Sequence, residues 1–265
     1  MKTRMAMAIA LLFALIFAVM MALTYYLTVI GYVTGILILL IPLTLTILII
    51  ILQWAVSPVI IRWIFKIKWV DPGNFNPKIA GFIRETCREK RIEEPRFGIV
   101  EDDNPNAFAF GWTRNKSHLV LTRGIIRYCD EEEQKAVVAH ELGHIEHNDF
   151  VVMTVIGAIP VLFYVIARSC YYMIRFSRGG GRDRGKAMAF VALVAAVSFL
   201  VYMLSQLIVL LVSRYREYYA DDFSADTTRR PSALSSALVK IAYGLAYEGL
   251  GEKSEKTHNK YESAL

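Results

Sequence analysis

Residues 130–149 read DEEEQKAVVAHELGHIEHND. Asp130 opens a stretch with helical periodicity, and Val137, Val138, Leu142 and Ile145 fall on one side of it. Asp130 is placed to cap the helix and Glu133 to complete a capping box, with three glutamates at the positive end of the helix dipole. Inside the helix stands HELGH, residues 140–144. His140 and His144 are spaced i, i+4, so their rings share a face about 6 Å apart and can reach one zinc ion. Glu141 stands beside them, placed to hold and deprotonate a water activated by that ion. Gly143 has no side chain, so a second element can approach the helix closely.

A catalytic zinc takes three protein ligands and keeps one position open. His147 shares the face at i+7 but lies about 10.5 Å along the axis from His140, too far for the three rings to converge. The segment SRYREYYAD, residues 213–221, serves better. Read alone it is a solvated face with Arg214 and Arg216. Read beside HELGH, Glu217 supplies the third ligand. Asp221, one helical turn on, accepts the free ring N–H of a ligating histidine.

The polar sequence before residue 130 carries short elements. DPGNFNP (71–77) reads as a linker. Residues 78–91 have helical periodicity, with Ile79, Phe82, Ile83 and Cys87 on one face. Residues 96–100 read as a strand. Residues 106–112 and 117–122 alternate about a turn at 113–116, the pattern of a β-hairpin.

Four uncharged or nearly uncharged runs surround these segments: 5–30, 36–61, 150–174 and 187–212. Each is long enough to cross a bilayer. Gly31–Gly35 reads as a hairpin turn, and Pro42 and Pro58 as kinks. The first run is too long for a cleaved leader. Arg168 is the one ionisable group of its kind inside the runs, placed to snorkel toward Arg175. Spans this free of charge do not suit an ion or proton pathway. The 265 residues are 55% hydrophobic and 20% charged, which excludes disorder, and three cysteines exclude a disulfide framework. The net charge of +6 sits at the ends of the apolar runs. The polar stretch 62–150 has 14 basic and 15 acidic residues, and 214–265 has eight of each. That distribution fits a membrane and not a nucleic acid.

The ordered set of motifs resembles the M48 family of membrane zinc metallopeptidases, in its HtpX type. The residues that carry the resemblance are NAFAFG (106–111), LVLTRGII (119–126), DEEEQKAVVAHELGHIEHND, REYYAD (216–221) and PSALSSALVKIA (231–242). The resemblance implies an α+β membrane protein with four transmembrane helices and a mainly α-helical, gluzincin-like zincin domain carrying a small β-sheet. It implies one Zn²⁺ per chain held by His140, His144 and Glu217, with Glu141 as general base and Asp221 behind the ligands. It implies that a strand of Asn106, Ala107, Phe108, Ala109, Phe110 and Gly111 borders the cleft and pairs with an extended polypeptide substrate. The implied activity is hydrolysis of peptide bonds by a zinc-activated water, in quality control of misfolded or damaged membrane proteins. The chain departs from the family near its C-terminus, where EKSEKTHNKYESAL has no proline after His258. Tyr215, Tyr218, Tyr219 and His118 are open candidates for stabilising an oxyanion.

The expected organisation is a membrane hairpin (1–65), a first part of the protease domain (66–150), a second membrane hairpin (151–212) and a second part of the domain (213–265). Lys2, Arg4, Arg62, Lys66 and Lys68 put the ends of the first hairpin, and with them the active site, on the cytoplasmic side of the cell membrane. The cationic loop 175–186 then faces outward against that rule. It joins two full spans, or a hairpin that does not fully cross.

Overall fold

The computed structural model describes residues 36–176 and 182–243. The run 5–30, the turn at 31–35, most of the cationic loop and the C-terminal tail lie outside the described residues. The chain forms two compact units. One comprises Met1–Ile60 with Val152–Ser213, the other Ile61–Val151 with Arg214–Leu265.

Among the described residues, three helices are long and apolar enough to cross a membrane. They are α1 (Leu37–Phe65, mean hydropathy 2.6), α6 (Asp149–Phe176, 2.5) and most of α7 (Arg182–Thr228; its apolar stretch 2.5). Pro42 and Pro58 sit inside α1 without ending it, and Thr46 Oγ1 donates to the Pro42 carbonyl at 2.7 Å. Leu207 and Leu210 of α7 are more than half exposed, as lipid-facing side chains would be. In the same unit Tyr164 of α6 meets Tyr202 of α7 at 5.5 Å between ring centroids. The Arg168 guanidinium lies over Tyr172 (4.7 Å) and Tyr171 (5.7 Å), on the Arg175 side, which shields the one cation of that apolar run.

The helix of the fourth apolar run does not end with that run at residue 212. With no glycine or proline between 187 and 228, nothing breaks the backbone hydrogen-bond ladder, and α7 continues to Thr228. Its 47 residues extend about 70 Å at 1.5 Å per residue, twice what the hydrocarbon layer needs. The polar remainder carries Glu217 and Asp221. Arg229 turns the chain with φ 56°, and residues 231–243 form α8.

The second unit is built on a four-stranded sheet of β1 (Lys68–Trp69), β2 (Arg96–Val100), β3 (Ala107–Thr113) and β4 (Lys116–Thr122), in the order β1-β2-β4-β3. The β3–β4 hairpin is antiparallel and in register Ala107 to Leu121, while β2 and β4 run parallel. β3 is therefore an edge. One face of the sheet packs on helices α3 (Pro77–Glu89) and α5 (Glu131–Glu146). The core there joins Ile79, Ile83 and Cys87 to Phe97, Ile99, Leu119 and Leu121, and to Val138, Leu142, Ile145 and Phe223. Full burial of a side chain such as Leu142 or Ile145 contributes about 1.5–3 kcal/mol.

The segment 71–77 is more than a linker. Asp71 caps a short helix α2 (Pro72–Phe75) by accepting from Gly73 N at 2.7 Å, and Asn76 caps α3 by accepting from Lys78 N at 3.0 Å. Each cap precedes a proline whose fixed φ suits the first helical position, so the prolines start helices here. A further helix, α4 (Arg123–Tyr128), follows β4 directly. Gly124 makes that turn possible, because a Cβ there would lie 2.3 Å from the Asp103 carbonyl oxygen.

The capping box at α5 forms as the sequence predicts. Asp130 Oδ1 accepts from Glu132 N and Glu133 N, and Glu133 Oε2 accepts from Asp130 N at 2.8 Å. Glu133 is also bonded by Ser236 Oγ and Lys240 Nζ of α8, both at 2.6 Å. Burial opposes its charge, but these donors prevail and hold its pKa below the ordinary value.

Candidate metal centre

α5 presents His140 and His144 from one face, their Nε2 atoms 3.2 Å apart and their rings nearly perpendicular. The polar end of α7 lies across this face. Gly143 permits the approach, since a Cβ there would come within 3.0 Å of Ala220 Cα and 3.2 Å of Phe223 Cβ. Ser224 Oγ secures the crossing by donating to the Ala136 carbonyl at 2.7 Å. Two turns earlier on α7, Glu217 sets its Oε2 3.7 Å from each histidine Nε2. The three donor atoms form a nearly equilateral triangle.

That triangle fits a tetrahedral zinc ion. Ligand bonds of about 2.0–2.2 Å in a tetrahedron put donors about 3.3–3.6 Å apart. Two imidazoles, a carboxylate and no thiolate are the donors of sites that keep a coordination position open. The histidine side chains are 14% and 12% exposed, that of Glu217 47%, so the cluster is walled on the α5 side and open on the other.

Each ring is backed by a carboxylate. His140 Nδ1 lies 3.0 Å from Asp221 Oδ1, off the straight line of a full hydrogen bond. His144 Nδ1 contacts Asp149 Oδ2 at 2.6 Å, and Asp149 is buried. Both arrangements favour a proton on Nδ1 and leave Nε2 free to ligate. Burial works against a charged His144, but Asp149, Glu141 and Glu217 together outweigh it and the pKa is raised. Burial and the neighbouring His144 together lower that of His140. Arg216 Nη2 donates to Glu217 Oε1 at 2.8 Å, which turns the other carboxylate oxygen toward the histidines. Its Nε stands 4.0 Å from Asp149 Oδ2.

Asp149 and Arg216 were not legible as site residues. Asp149 comes five residues after His144, off the helical face. It reaches the ring because α5 stops at His147, Asn148 takes a left-handed conformation (φ 56°) and a new helix starts at Asp149. An asparagine directly after a histidine-bearing helix, followed by a carboxylate, was the available signal. Asp149→Asn is expected to weaken zinc binding about 10–100-fold in competition with a chelating dye; unchanged affinity would remove Asp149 from the site.

Glu141 lies behind the pair. Its Oε2 accepts the Ala109 N–H of β3 at 2.8 Å. Burial raises its pKa, against the pull of His144 and of that N–H. The bond also shows which way β3 faces. Asn106 exchanges both backbone groups with Thr122, its N–H going to the side-chain Oγ1. Alternation along an antiparallel pair then commits Asn106, Phe108 and Phe110 to β4 and turns the backbone of Ala107, Ala109 and Gly111 to the free edge. Of the six residues expected to border the cleft, three offer outward backbone groups. The side chains of Phe108 and Phe110 lie on the sheet face opposite α3 and α5, against Phe65 and His118.

Among the oxyanion candidates, His118 stacks on Phe110 at 4.7 Å on that far face and is not part of the cluster. Tyr219 stacks on His147 (5.5 Å), and Tyr215 and Tyr218 are exposed and contact each other. His147 itself bonds the Gly143 carbonyl through Nδ1 at 2.8 Å and stays out of the triangle, as its spacing predicts.

The profile of peptidase family M48 matches residues 75–262. A protein named "Protease HtpX homolog" from Methanothermobacter thermautotrophicus is 38% identical over 198 residues, 75% of this chain and 71% of that one. Its namesake from Aeropyrum pernix is 36% identical over 208 residues, 78% of this chain and 64% of that one. Among solved structures, S. mikatae Ste24p shares the fold with a TM-score of 0.57 and 19% identity, over 90% of this chain and 58% of that one.

Proposed function

Because the chain belongs to peptidase family M48, we propose that it is a multi-pass membrane endopeptidase whose zinc ion is held by His140, His144 and Glu217. The observation that carries this reading is the triangle of donor atoms beside Glu141, itself bonded to the edge of a sheet. A structural zinc in a membrane scaffold would call for a closed, cysteine-rich set and would leave Glu141 without a task.

When bound, zinc supplies a Lewis acid that lowers the pKa of a water toward 7 and polarises the scissile carbonyl. Glu141 Oε2 is committed to Ala109 N–H, so Oε1 takes the proton of the attacking water and passes it to the leaving amine. Its raised pKa suits a base that must release the proton again. Asp221 and Asp149 hold the imidazoles, and Arg216 holds Glu217. Ala107, Ala109 and Gly111 align an extended substrate through backbone hydrogen bonds, which tolerate many side chains.

The substrates in this reading are misfolded or damaged membrane proteins, as the resemblance to the HtpX type implies. Arg62, Lys66 and Lys68 at the end of α1, with Arg214 and Arg216 on α7, support a cytoplasmic active site in the cell membrane. The test is casein cleavage by the purified chain. A chelator should abolish it and stoichiometric zinc should restore it; cleavage that survives the removal of all metal would refute the reading.

A further inference from the structure

The sheet has two faces, and the site uses one. The other face carries Arg96, His118, Phe108, Phe110 and Val120 by strand alternation. Its apolar cluster draws on Phe110, Val120, Val100 and Ile67, with Ile61, Phe65, Trp69 and Phe108 packed against them. The end of α1 thus folds onto the sheet, with the Phe65 and Phe108 rings 4.8 Å apart. Trp69 of β1 lies 5.1 Å from the His118 ring, and Trp112 lies 6.1 Å from it.

Two guanidiniums flank this aromatic group. Arg96 Cζ is 4.5 Å and Arg62 Cζ 5.9 Å from the Trp69 ring. Both arginines are exposed, and among the described residues neither pairs with a carboxylate. A guanidinium attracted to an indole face still has N–H donors to offer a phosphate oxygen. Trp63, on the last turn of α1, is 72% exposed, and Lys66 follows it. A tryptophan and cations at the end of an apolar helix mark the headgroup layer. Only Lys66 and Ile67 separate α1 from β1, a reach of about 10 Å. If α1 crosses the bilayer, Trp69 and its two arginines stand in or next to the headgroups.

We propose that the exposed rim of this face, where Arg62 and Arg96 flank Trp69, lies at the bilayer surface and that the two arginines bind the phosphate of an anionic phospholipid there. The occupant is a lipid because the patch is continuous with the end of the apolar helix and its exposed charge is complementary to anionic headgroups. The proposal stands without the peptidase reading.

The test uses the full chain with Trp54→Phe, which removes the tryptophan inside the apolar run, in nanodiscs of phosphatidylcholine and phosphatidylglycerol. One set carries bromine on the acyl chains of the anionic lipid, the other on those of the zwitterionic lipid, at equal bromine content. Two cations at about 1 kcal/mol each enrich an anionic lipid by about thirtyfold, so brominated phosphatidylglycerol should quench the remaining tryptophans more strongly. Arg62→Gln with Arg96→Gln should equalise the two lipids while zinc content stays unchanged. Equal quenching in the parent overturns the proposal without any arginine variant, and so does a preference that survives in the double variant.

Discussion

Glu141→Gln should reduce peptide cleavage by about 10²–10⁴-fold while the protein still carries zinc. The loss corresponds to about 3–5 kcal/mol of transition-state stabilisation. The glutamine keeps the size of the side chain, and its amide oxygen can still accept the Ala109 N–H that Glu141 Oε2 now takes at 2.8 Å. The metal triangle does not include residue 141, so binding should persist. What disappears is a group that can take a proton. Rates with casein, normalised to bound zinc, check this; wild-type turnover by the variant would show that the proton goes elsewhere.

His144→Ala should have a different and larger footprint. It removes one corner of the triangle, and zinc content should fall to a small fraction of one per chain after dialysis, with activity lost in parallel. It also strips Asp149 of its 2.6 Å partner. Asp149 is buried, and leaving such an acceptor unsatisfied costs about 1–3 kcal/mol. Glu217→Gln is the informative contrast. It should also lose zinc, but Glu217 is half-exposed and its removal leaves no buried charge behind. Thermal unfolding in chelator should therefore separate the two variants, with His144→Ala the less stable. Equal stabilities would mean that the contact between Asp149 and His144 contributes little to the fold.

The parts of the site that were legible are those in which one helix states its own geometry. His140, His144 and Glu141 follow from spacing along α5, and the capping box that starts the helix is written in four consecutive residues. Glu217 and Asp221 were legible because a metal needs a third donor and this i, i+4 pair of acids follows directly on the last apolar run. The structure brings all of them together. Asp149 was hidden because its position depends on a left-handed residue that ends one helix and begins another. Arg216 was hidden because an arginine beside a glutamate on a polar helix ordinarily reads as solvated. In the fold, β2 shows as a short strand-like run and the hairpin in local alternation. The parallel pairing of β2 with β4 does not, since nothing local specifies it, and neither does the two-residue β1, which is too short for any pattern. The continuation of α7 was readable in principle from the absence of helix breakers, yet the change from apolar to polar at residue 213 masked it.

Zinc-edge X-ray absorption on the purified chain tests the central claim most directly, because it reports the atoms around the metal. Coordination by His140, His144 and Glu217 gives two imidazole nitrogens and light oxygen or nitrogen scatterers at about 2.0–2.2 Å, with no sulfur. A sulfur shell at about 2.3 Å, or a first shell without imidazole, would contradict it.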